Sequence, residues 1–265
     1  MSRLFTFLSG FLAFAGCFSF SFVHAIPVSV QTDERTTIID LKQKYPDRFI
    51  FSGPSDEKWV ALTFDDAPDP RFTDHILNIL LSEGVRATFF VVGERAQNWP
   101  QAVLRMQREG HAIGNHTYNH PHLPALSDQA FYEQVEKTQM ILERITREKP
   151  FLFRPPYGDI TESQLRRLIE DGMTIVNWNV DSLDWKTDSA AEIYQNIFKD
   201  VRPGAIVLQH AGSGQGGDLT GTIEALPLVI RELKRKGYRF VTVPELIAAK
   251  FIDPALGMVW TDAKR

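Results

Sequence analysis

From Trp59 onward, short apolar runs alternate with longer stretches of helical period, and few folds accommodate such a repeat. Seven runs have the length of strands, at residues 60–64, 87–92, 112–114, 151–153, 175–180, 205–208 and 238–243. The amphipathic stretches lie between them, at residues 74–81, 99–108, 129–145, 163–169 and 223–234. This βα repeat predicts a parallel sheet covered by helices, which could close into a barrel or stay open as a doubly wound sheet.

Length and charge narrow the possible architectures and partners. A chain of 265 residues with 43% hydrophobic content can bury the core of one globular domain, which we place at residues 58–250. Residues 26–57 are polar and weakly periodic and are interpreted as a spacer and N-terminal arm, and residues 251–265 as a C-terminal tail. The 29 basic and 33 acidic residues are mixed along the chain, so no nucleic-acid partner is expected.

The N-terminus has the pattern of a secretory signal. Arg3 precedes an apolar run at residues 4–23, which ends in Val23-His24-Ala25. Cleavage after Ala25 would give a secreted or envelope-associated protein; the alternative is an uncleaved anchor, since about 20 apolar residues can span a bilayer. The single cysteine, Cys17, lies in this segment and could instead carry a lipid. Contact with the membrane is expected only through residues 1–25. A chain cleaved after Ala25 has no cysteine, so its metal ligands must be histidines and carboxylates.

Polar residues that can carry chemistry follow most of the apolar runs. Because a barrel and an open sheet both gather the carboxyl ends of their strands at one edge, we expect these side chains to lie together. Each has an ordinary explanation when taken singly, such as a turn, a helix cap or a salt bridge. The residues are Asp65, Asp66, His116, His120, Arg154, Tyr157, Asp181, Asp184, Trp185 and His210.

The spacing of His116 and His120 indicates a metal site only in a bent conformation. In an extended strand the two imidazoles would be about 13 Å apart, whereas a turn or short helix brings residues at this spacing to about 6 Å. Thr117 stands where a zincin protease would have glutamate, so the protease motif is absent. Two histidines and one aspartate leave positions open on a divalent ion, which acidifies a water there.

Five segments in order resemble the motifs of the polysaccharide deacetylases, the NodB-like family also known as carbohydrate esterase family 4. The segments are TFDDAP (63–68), HTYNH (116–120), RPPYG (154–158), DSLDW (181–185) and LQH (208–210). The resemblance extends over about residues 59–247 and implies a distorted (β/α) barrel of about seven parallel strands. Ala67 replaces the family's usual glycine, and we expect a slightly altered turn because alanine tolerates positive φ poorly.

The resemblance implies a metal centre and a base. Asp66, His116 and His120 would bind a divalent metal, by similarity zinc, with cobalt, manganese and nickel as alternatives. Asp65 would be the general base that takes a proton from water, and the guanidinium of Arg154 would hold it by a charge-assisted hydrogen bond.

The resemblance also implies an acid and a substrate pocket. The backbone N–H of Tyr157 would stabilise the oxyanion, while His210, oriented by Asp184, would protonate the leaving amine. Trp185, Leu208 and Tyr157 would line the pocket for the acetyl group. Residues 212–217 could form a mobile rim over the substrate or an unconstrained surface loop.

The expected activity is hydrolysis of N-acetyl groups on an amino-sugar polymer, either peptidoglycan or a chitin-like oligomer, by a monomeric enzyme. An O-acetyl esterase for acetylated xylan would use the same chemistry. A carbohydrate-binding protein without activity is a third possibility, against which the presence of Asp65 and His210 argues.

Overall fold

The computed structural model describes residues 37–249, together with the backbone of residues 252–253 and 258–259. The predicted signal or anchor, Cys17, the start of the N-terminal arm and most of the C-terminal tail lie outside the described residues. Within the part that is described, no helix combines the length and the apolar content needed to cross a membrane.

Helices occupy the stretches where the sequence has helical period. Thr37, Thr161 and Thr242 each cap a helix with the side-chain oxygen, and Gly110, at φ 80°, follows the end of a helix. Within residues 37–249 the α-helices are α1 (Ile38–Lys44), α2 (Thr73–Ser82), α3 (Gly93–Asn98), α4 (Pro100–Arg108), α5 (Asp128–Thr146), α6 (Glu162–Glu170), α7 (Ala190–Asp200), α8 (Thr220–Arg235) and α9 (Val243–Ala248).

The main sheet has nine strands, all paired in parallel, in the part of the chain that the structure describes. The order is β1-β6-β5-β4-β3-β2-β8-β7, and β9 pairs with β2 beside this path. The strands are β1 (Phe49–Ile50), β2 (Trp59–Ala67), β3 (Thr88–Val91), β4 (Ala112–Asn115), β5 (Leu152–Phe153), β6 (Thr174–Val176), β7 (Val180–Asp181), β8 (Ala205–His210) and β9 (Arg239–Phe240). A separate antiparallel pair is formed by β10 (Ile252–Asp253) and β11 (Met258–Val259).

The sheet is rolled into a distorted barrel. β6 lies near one end of the strand order and β7 at the other, yet the chain joins them through residues 177–179 alone. Such a link reaches at most about 14 Å, so the two ends of the sheet must lie close together. A bridge between Ser52 and Ala205 connects the same two regions. The predicted fold class is therefore confirmed.

Two strands differ from the sequence prediction. The apolar run at residues 175–180 was expected to form one strand, but it contains the end of β6, a link at residues 177–179 and the start of β7. β1 comes from the predicted arm and pairs with β6, with Phe49 opposite Ile175. The main sheet consequently has nine strands instead of about seven.

Alternate residues of each strand face two different apolar layers. On β2, Val60, Leu62 and Phe64 pack in the cluster that includes residues of α2 and α8, whereas Ala61 packs with Ile206 in a second cluster within the barrel. Thr63 and Asp65 continue the face of Ala61 toward the carboxyl end of the strand. The interior of the barrel thus leads directly to the candidate site residues.

Candidate active site

Asp66, His116 and His120 form a group that can hold a metal. Each residue offers one ligand atom, and these atoms all lie within 4.8 Å of one another. The Nε2 atoms of His116 and His120 are 3.9 Å and 3.7 Å from Asp66 Oδ1. Two imidazoles and a carboxylate are a donor set that suits a divalent transition metal.

Consecutive aspartates at the end of β2 both line the same cavity. Regular strand geometry would send Asp65 and Asp66 to opposite faces of the sheet. Asp66, however, has a positive φ of 63°, and the pairing of β2 with β3 shifts register between Phe64 and Ala67. The positive φ in this turn was expected at Ala67, where the family usually has glycine. It occurs at Asp66 instead, so alanine at position 67 does not strain the turn.

The loop after β4 is a turn that Asn115 organises. Its amide Nδ2 donates to Val135 O at 2.9 Å, and its Oδ1 accepts the N–H of Thr117 at 2.9 Å. Thr117 Oγ1 then accepts the N–H of His120 at 3.1 Å. Thr117 and His120 both have positive φ, and the two imidazole rings are 4.9 Å apart, in a bend of the kind that the spacing requires.

Helix α5 supports this loop through a residue that the sequence reasoning did not single out. Gln134 Oε1 accepts the N–H groups of Tyr118 at 3.0 Å and Asn119 at 3.1 Å. Both donors belong to the segment between the two histidines. A glutamine on an amphipathic helix gives no sign of this role in sequence, because most such residues face solvent.

His116 is held in one tautomer. Its Nδ1 lies 2.8 Å from the carbonyl oxygen of Arg154, which can only accept, so Nδ1 carries the proton and Nε2 presents a lone pair toward Asp66. Burial, together with the neighbouring His120, lowers the pKa of His116 to about 3. The ring is consequently neutral near pH 7, as a metal ligand must be.

Asp65 and Arg154 are a buried ion pair. Asp65 is 3% exposed and Arg154 is fully buried, and Asp65 Oδ1 accepts from Arg154 Nη1 at 2.7 Å. The guanidinium also donates to Thr63 Oγ1, Val176 O and Asn177 O, and it stacks over the ring of Phe90. Burial raises the pKa of Asp65 although Arg154 opposes this effect, and a raised pKa suits a carboxylate that accepts a proton.

His210 and Asp184 form a second pair across the cavity. His210 Nδ1 is 2.7 Å from Asp184 Oδ1, while Asp184 Oδ2 accepts the N–H of His210 and the hydroxyl of Thr222. Burial alone would lower the pKa of His210, but the charge and hydrogen bond of Asp184 outweigh it and raise this pKa to about 9. The imidazole is therefore a cation near neutral pH and can donate a proton.

These groups surround one cavity of about 440 Å³. Tyr157 and Trp185 are largely exposed at its rim, Leu208 is buried at its wall, and the Tyr157 ring lies 4.8 Å from that of His120. Every predicted site residue except Arg154 and Asp184 lines the cavity, and those two contact residues that do. Asp181, a candidate to which no role was assigned, also lines the cavity, and so do Trp178 and Leu219, which were not predicted.

The loop at residues 212–217 is fixed where it meets the site. Arg95 donates to Ser213 O at 2.9 Å and to Asp66 O at 2.8 Å, and Arg71 also donates to Ser213 O. A Cβ on Gly212 would lie 2.1 Å from Asp66 O, so only glycine allows this approach. This end of the loop is a wall of the cavity that two arginines hold in place.

Comparisons with known proteins agree with this geometry. A family model described as polysaccharide deacetylase matches residues 52–176. A peptidoglycan-N-acetylglucosamine deacetylase of Bacillus cereus is 44% identical over 221 residues, which cover 83% of this chain and 79% of that protein. The crystal structure of the Bc1960 peptidoglycan N-acetylglucosamine deacetylase, in complex with 4-naphthalen-1-yl-N-oxidanyl-benzamide, has a TM-score of 0.74 at 44% identity and covers 77% of this chain and 95% of that chain.

One solved neighbour is described as lacking activity. The CE4 family pseudoenzyme BA3943 from Bacillus anthracis has a TM-score of 0.69 at 31% identity and covers 75% of this chain and 68% of that chain. The fold alone is thus no evidence of activity, and the residues of the site must carry that argument.

The protein combines a rolled parallel sheet, an Asp-His-His group and two buried pairs, Asp65–Arg154 and Asp184–His210. This combination defines a class of metal-dependent hydrolases. The degree of identity and the coverage of both chains narrow this class further. The chain belongs to the polysaccharide deacetylase family, carbohydrate esterase family 4. The resemblance that the five motifs indicated is confirmed.

Proposed function

We propose that this protein removes N-acetyl groups from N-acetylglucosamine units of peptidoglycan and releases acetate. The observation that carries the proposal is the buried Asp65–Arg154 pair beside the Asp-His-His group, with the Asp184–His210 pair across the same cavity. Base, metal ligands and acid then surround a space of about 440 Å³, a volume within the usual range for a ligand pocket. The peptidoglycan substrate is taken from the Bacillus cereus relative.

We infer zinc as the metal, because two imidazoles and one carboxylate form a common ligand set for catalytic zinc. Cobalt, manganese and nickel fit the same donors. Asp66, His116 and His120 would hold the divalent ion, which would act as a Lewis acid that lowers the pKa of a water molecule and polarises the acetyl carbonyl.

Asp65 accepts a proton from the attacking water. Its carboxylate is oriented by Arg154, and the other oxygen, Oδ2, lies 3.7 Å from His116 Nε2, so the base faces the metal ligands. Arg154 is in turn fixed by three further acceptors, which keeps the carboxylate in one orientation. Positioning of this kind lowers the reorganisation required in the transition state.

His210 donates the proton that the leaving amine requires. With Nδ1 bound to Asp184, the protonated ring presents Nε2–H to the cavity. The backbone N–H of Tyr157 donates to the oxyanion of the tetrahedral intermediate, in a loop that Pro155 and Pro156 stiffen. Trp185 and Leu208 form the apolar wall against the acetyl methyl group.

Export is part of the proposal, because peptidoglycan lies outside the membrane. Residues 1–25 would serve as a signal peptide or anchor, with a lipid on Cys17 as the alternative. The catalytic domain would comprise residues 58–250 together with the end of the arm at residues 26–57, because β1 belongs to the main sheet. The tail at residues 251–265 would follow it, and the protein would act as a monomer.

A substrate panel tests the proposal. Purified protein is incubated with peptidoglycan, chitin oligomers and acetylated xylan, each with and without a chelator, and released acetate is measured. We expect acetate from peptidoglycan that the chelator abolishes. Release from xylan alone would identify an O-acetyl esterase, and no release from any polymer would favour an inactive carbohydrate-binding protein.

The metal ligands are tested separately by metal content. His120→Ala removes one of three ligands and should leave little bound zinc after dialysis, whereas His122→Ala, two residues away, should retain it. His122 pairs with Asp159 at 2.9 Å and is outside the metal group. Full metal occupancy in His120→Ala would contradict the ligand assignment.

A further inference from the structure

A second depression lies on the same rim of the barrel as the active site. It consists of two adjoining cavities of about 330 Å³ and 500 Å³, which share Pro68, Asp69, Pro70, Asn98 and Trp99 in their walls. One side is the connection from β2 to α2, and the other is the junction of α3 and α4. We call this depression the Trp99 groove.

The Trp99 groove adjoins the catalytic cavity. Ser213 lines both, and the chain that places Asp66 in the catalytic cavity continues directly to Pro68 in the groove. Helix α3 starts against the metal-binding loop, where Gly93 N–H donates to Thr117 O at 2.9 Å. Its six residues carry the chain about 9 Å to Trp99, farther than a single sugar ring spans.

The boundary between groove and catalytic cavity is rigid. Asp69 is 5% exposed and forms ion pairs with Arg71 at 2.7 Å and Arg95 at 3.4 Å. Arg95 also donates to the backbone oxygen of Asp66, which lines the catalytic cavity, and to that of Ser213, which lines both the cavity and the groove. A chain molecule in the groove would therefore keep a fixed position relative to the metal ligands.

The chemistry of the groove indicates an uncharged, hydroxylated ligand. Trp99 is 41% exposed, and prolines and the amides of Asn98 and Gln101 lie around it. The charged groups are largely paired with one another: Asp69 with two arginines, and Arg105 with Asp74 and Glu109. An aromatic face beside planar amides suits a pyranose ring, whose C–H groups stack on the indole while its hydroxyls form hydrogen bonds.

We propose that the Trp99 groove binds sugar units of the polymer next to the unit that is deacetylated, with Trp99 as the stacking platform. The proposal rests on the deacetylase function proposed above and adds a preference for long chains over short ones. Since Trp99 is offset from the metal-binding loop by more than one sugar ring, a disaccharide that occupies the catalytic cavity would not stack on it.

Kinetics on chitin oligomers of increasing length test the platform. Trp99→Ala should lower kcat/KM by about tenfold on hexamers and leave dimers within twofold of the wild type, whereas Trp99→Phe should retain most of the preference. Phe151→Ala is the matched control, because Phe151 is also exposed, at 48%, but precedes β5 at the amino end of the barrel. Equal losses on hexamers and dimers, or no loss, would overturn the proposal.

Direct binding separates this inference from the proposed activity. Affinity for the chitin hexamer is measured by titration calorimetry on Asp65→Asn, with and without Trp99→Ala, so that turnover plays no part. We expect affinity to fall about tenfold with Trp99→Ala and to be unchanged with Phe151→Ala. Equal affinities, or no binding, would overturn the proposal that the groove binds sugar units, even if the wild type releases acetate. Absence of acetate release from the wild type would contradict only the proposed deacetylase activity.

Discussion

Along β2 and β8 the barrel interior changes from apolar to charged within four residues. Ala61 and Ile206 are fully buried in an apolar cluster at the amino side, whereas Asp65 and His210 stand four residues further along the same strand faces. In the apolar half, burial stabilises the fold without any specific partner. In the charged half, each buried group needs a partner, since an unpaired one would cost several kcal/mol.

The apolar half of the interior determines stability, whereas the charged half determines chemistry. Arg154 is fully buried and satisfies its nitrogens with Asp65, Thr63 and two backbone carbonyls. Replacing such a pair by apolar residues is often neutral or stabilising for a fold, so the pair is not explained by stability. We infer that the charged half is maintained for the orientation of reacting groups.

The largest expected effect comes from Asp65→Asn. Turnover should fall by about 10²- to 10⁴-fold, because the base is lost. The free energy of unfolding should fall by about 3–5 kcal/mol, because Arg154 keeps its buried charge without a carboxylate. Urea denaturation and acetate release measure the two effects, and zinc content should be unchanged because all three ligands remain.

A double variant separates these two losses. Asp65→Asn with Arg154→Met removes the unpaired charge and should recover part of the stability but none of the turnover. If the double variant is less stable than Asp65→Asn alone, the ion pair is not the cause of the loss and the contrast between the halves fails.

Much of this contrast could be predicted from the sequence. The runs at residues 60–64 and 205–208 identify β2 and β8, and polar residues after them identify the rim, because side chains alternate along a strand. The residue pattern alone could not predict the closure of the barrel, which only the motif resemblance implied, since β1 and β7 have two residues each, too few for any periodicity. The support from Gln134 was also invisible, because it depends on how α5 packs on the metal-binding loop.

In the apolar half, Ile206→Ala should lower the free energy of unfolding by about 2–5 kcal/mol and leave kcat nearly unchanged at a temperature where the variant stays folded. Leu208→Ala is the matched change, two residues further along the same face and also buried. Leu208→Ala should change the ratio of kcat/KM for N-acetyl substrates to kcat/KM for substrates with longer acyl groups. A similar shift in acyl preference with Ile206→Ala would contradict the division of the interior.

A smaller effect is expected from Gln134→Leu, which leaves the N–H groups of Tyr118 and Asn119 without their acceptor. Zinc affinity should fall about 10- to 100-fold, as for other groups that orient metal ligands. Gln134→Glu keeps an oxygen acceptor and should stay close to the wild type. Competition titration with a zinc-binding dye measures both, and equal affinities for the two variants would exclude a positioning role.

The smallest effect near neutral pH concerns His210, whose raised pKa sets an alkaline limit. Because Asp184 raises this pKa from 6.5 to about 9, kcat should stay level up to about pH 9 and fall above it as the acid loses its proton. The contribution of the Asp184–His210 pair to the free energy of unfolding also declines at alkaline pH. This contribution is complete below pH 6.5 and is lost as the pH rises through about 9. Asp184→Asn removes the charge that outweighs burial, so the pKa of His210 should fall and the alkaline limit of kcat should move to lower pH. A pH–rate profile of both proteins tests this, and an unchanged limit would show that another group supplies the proton.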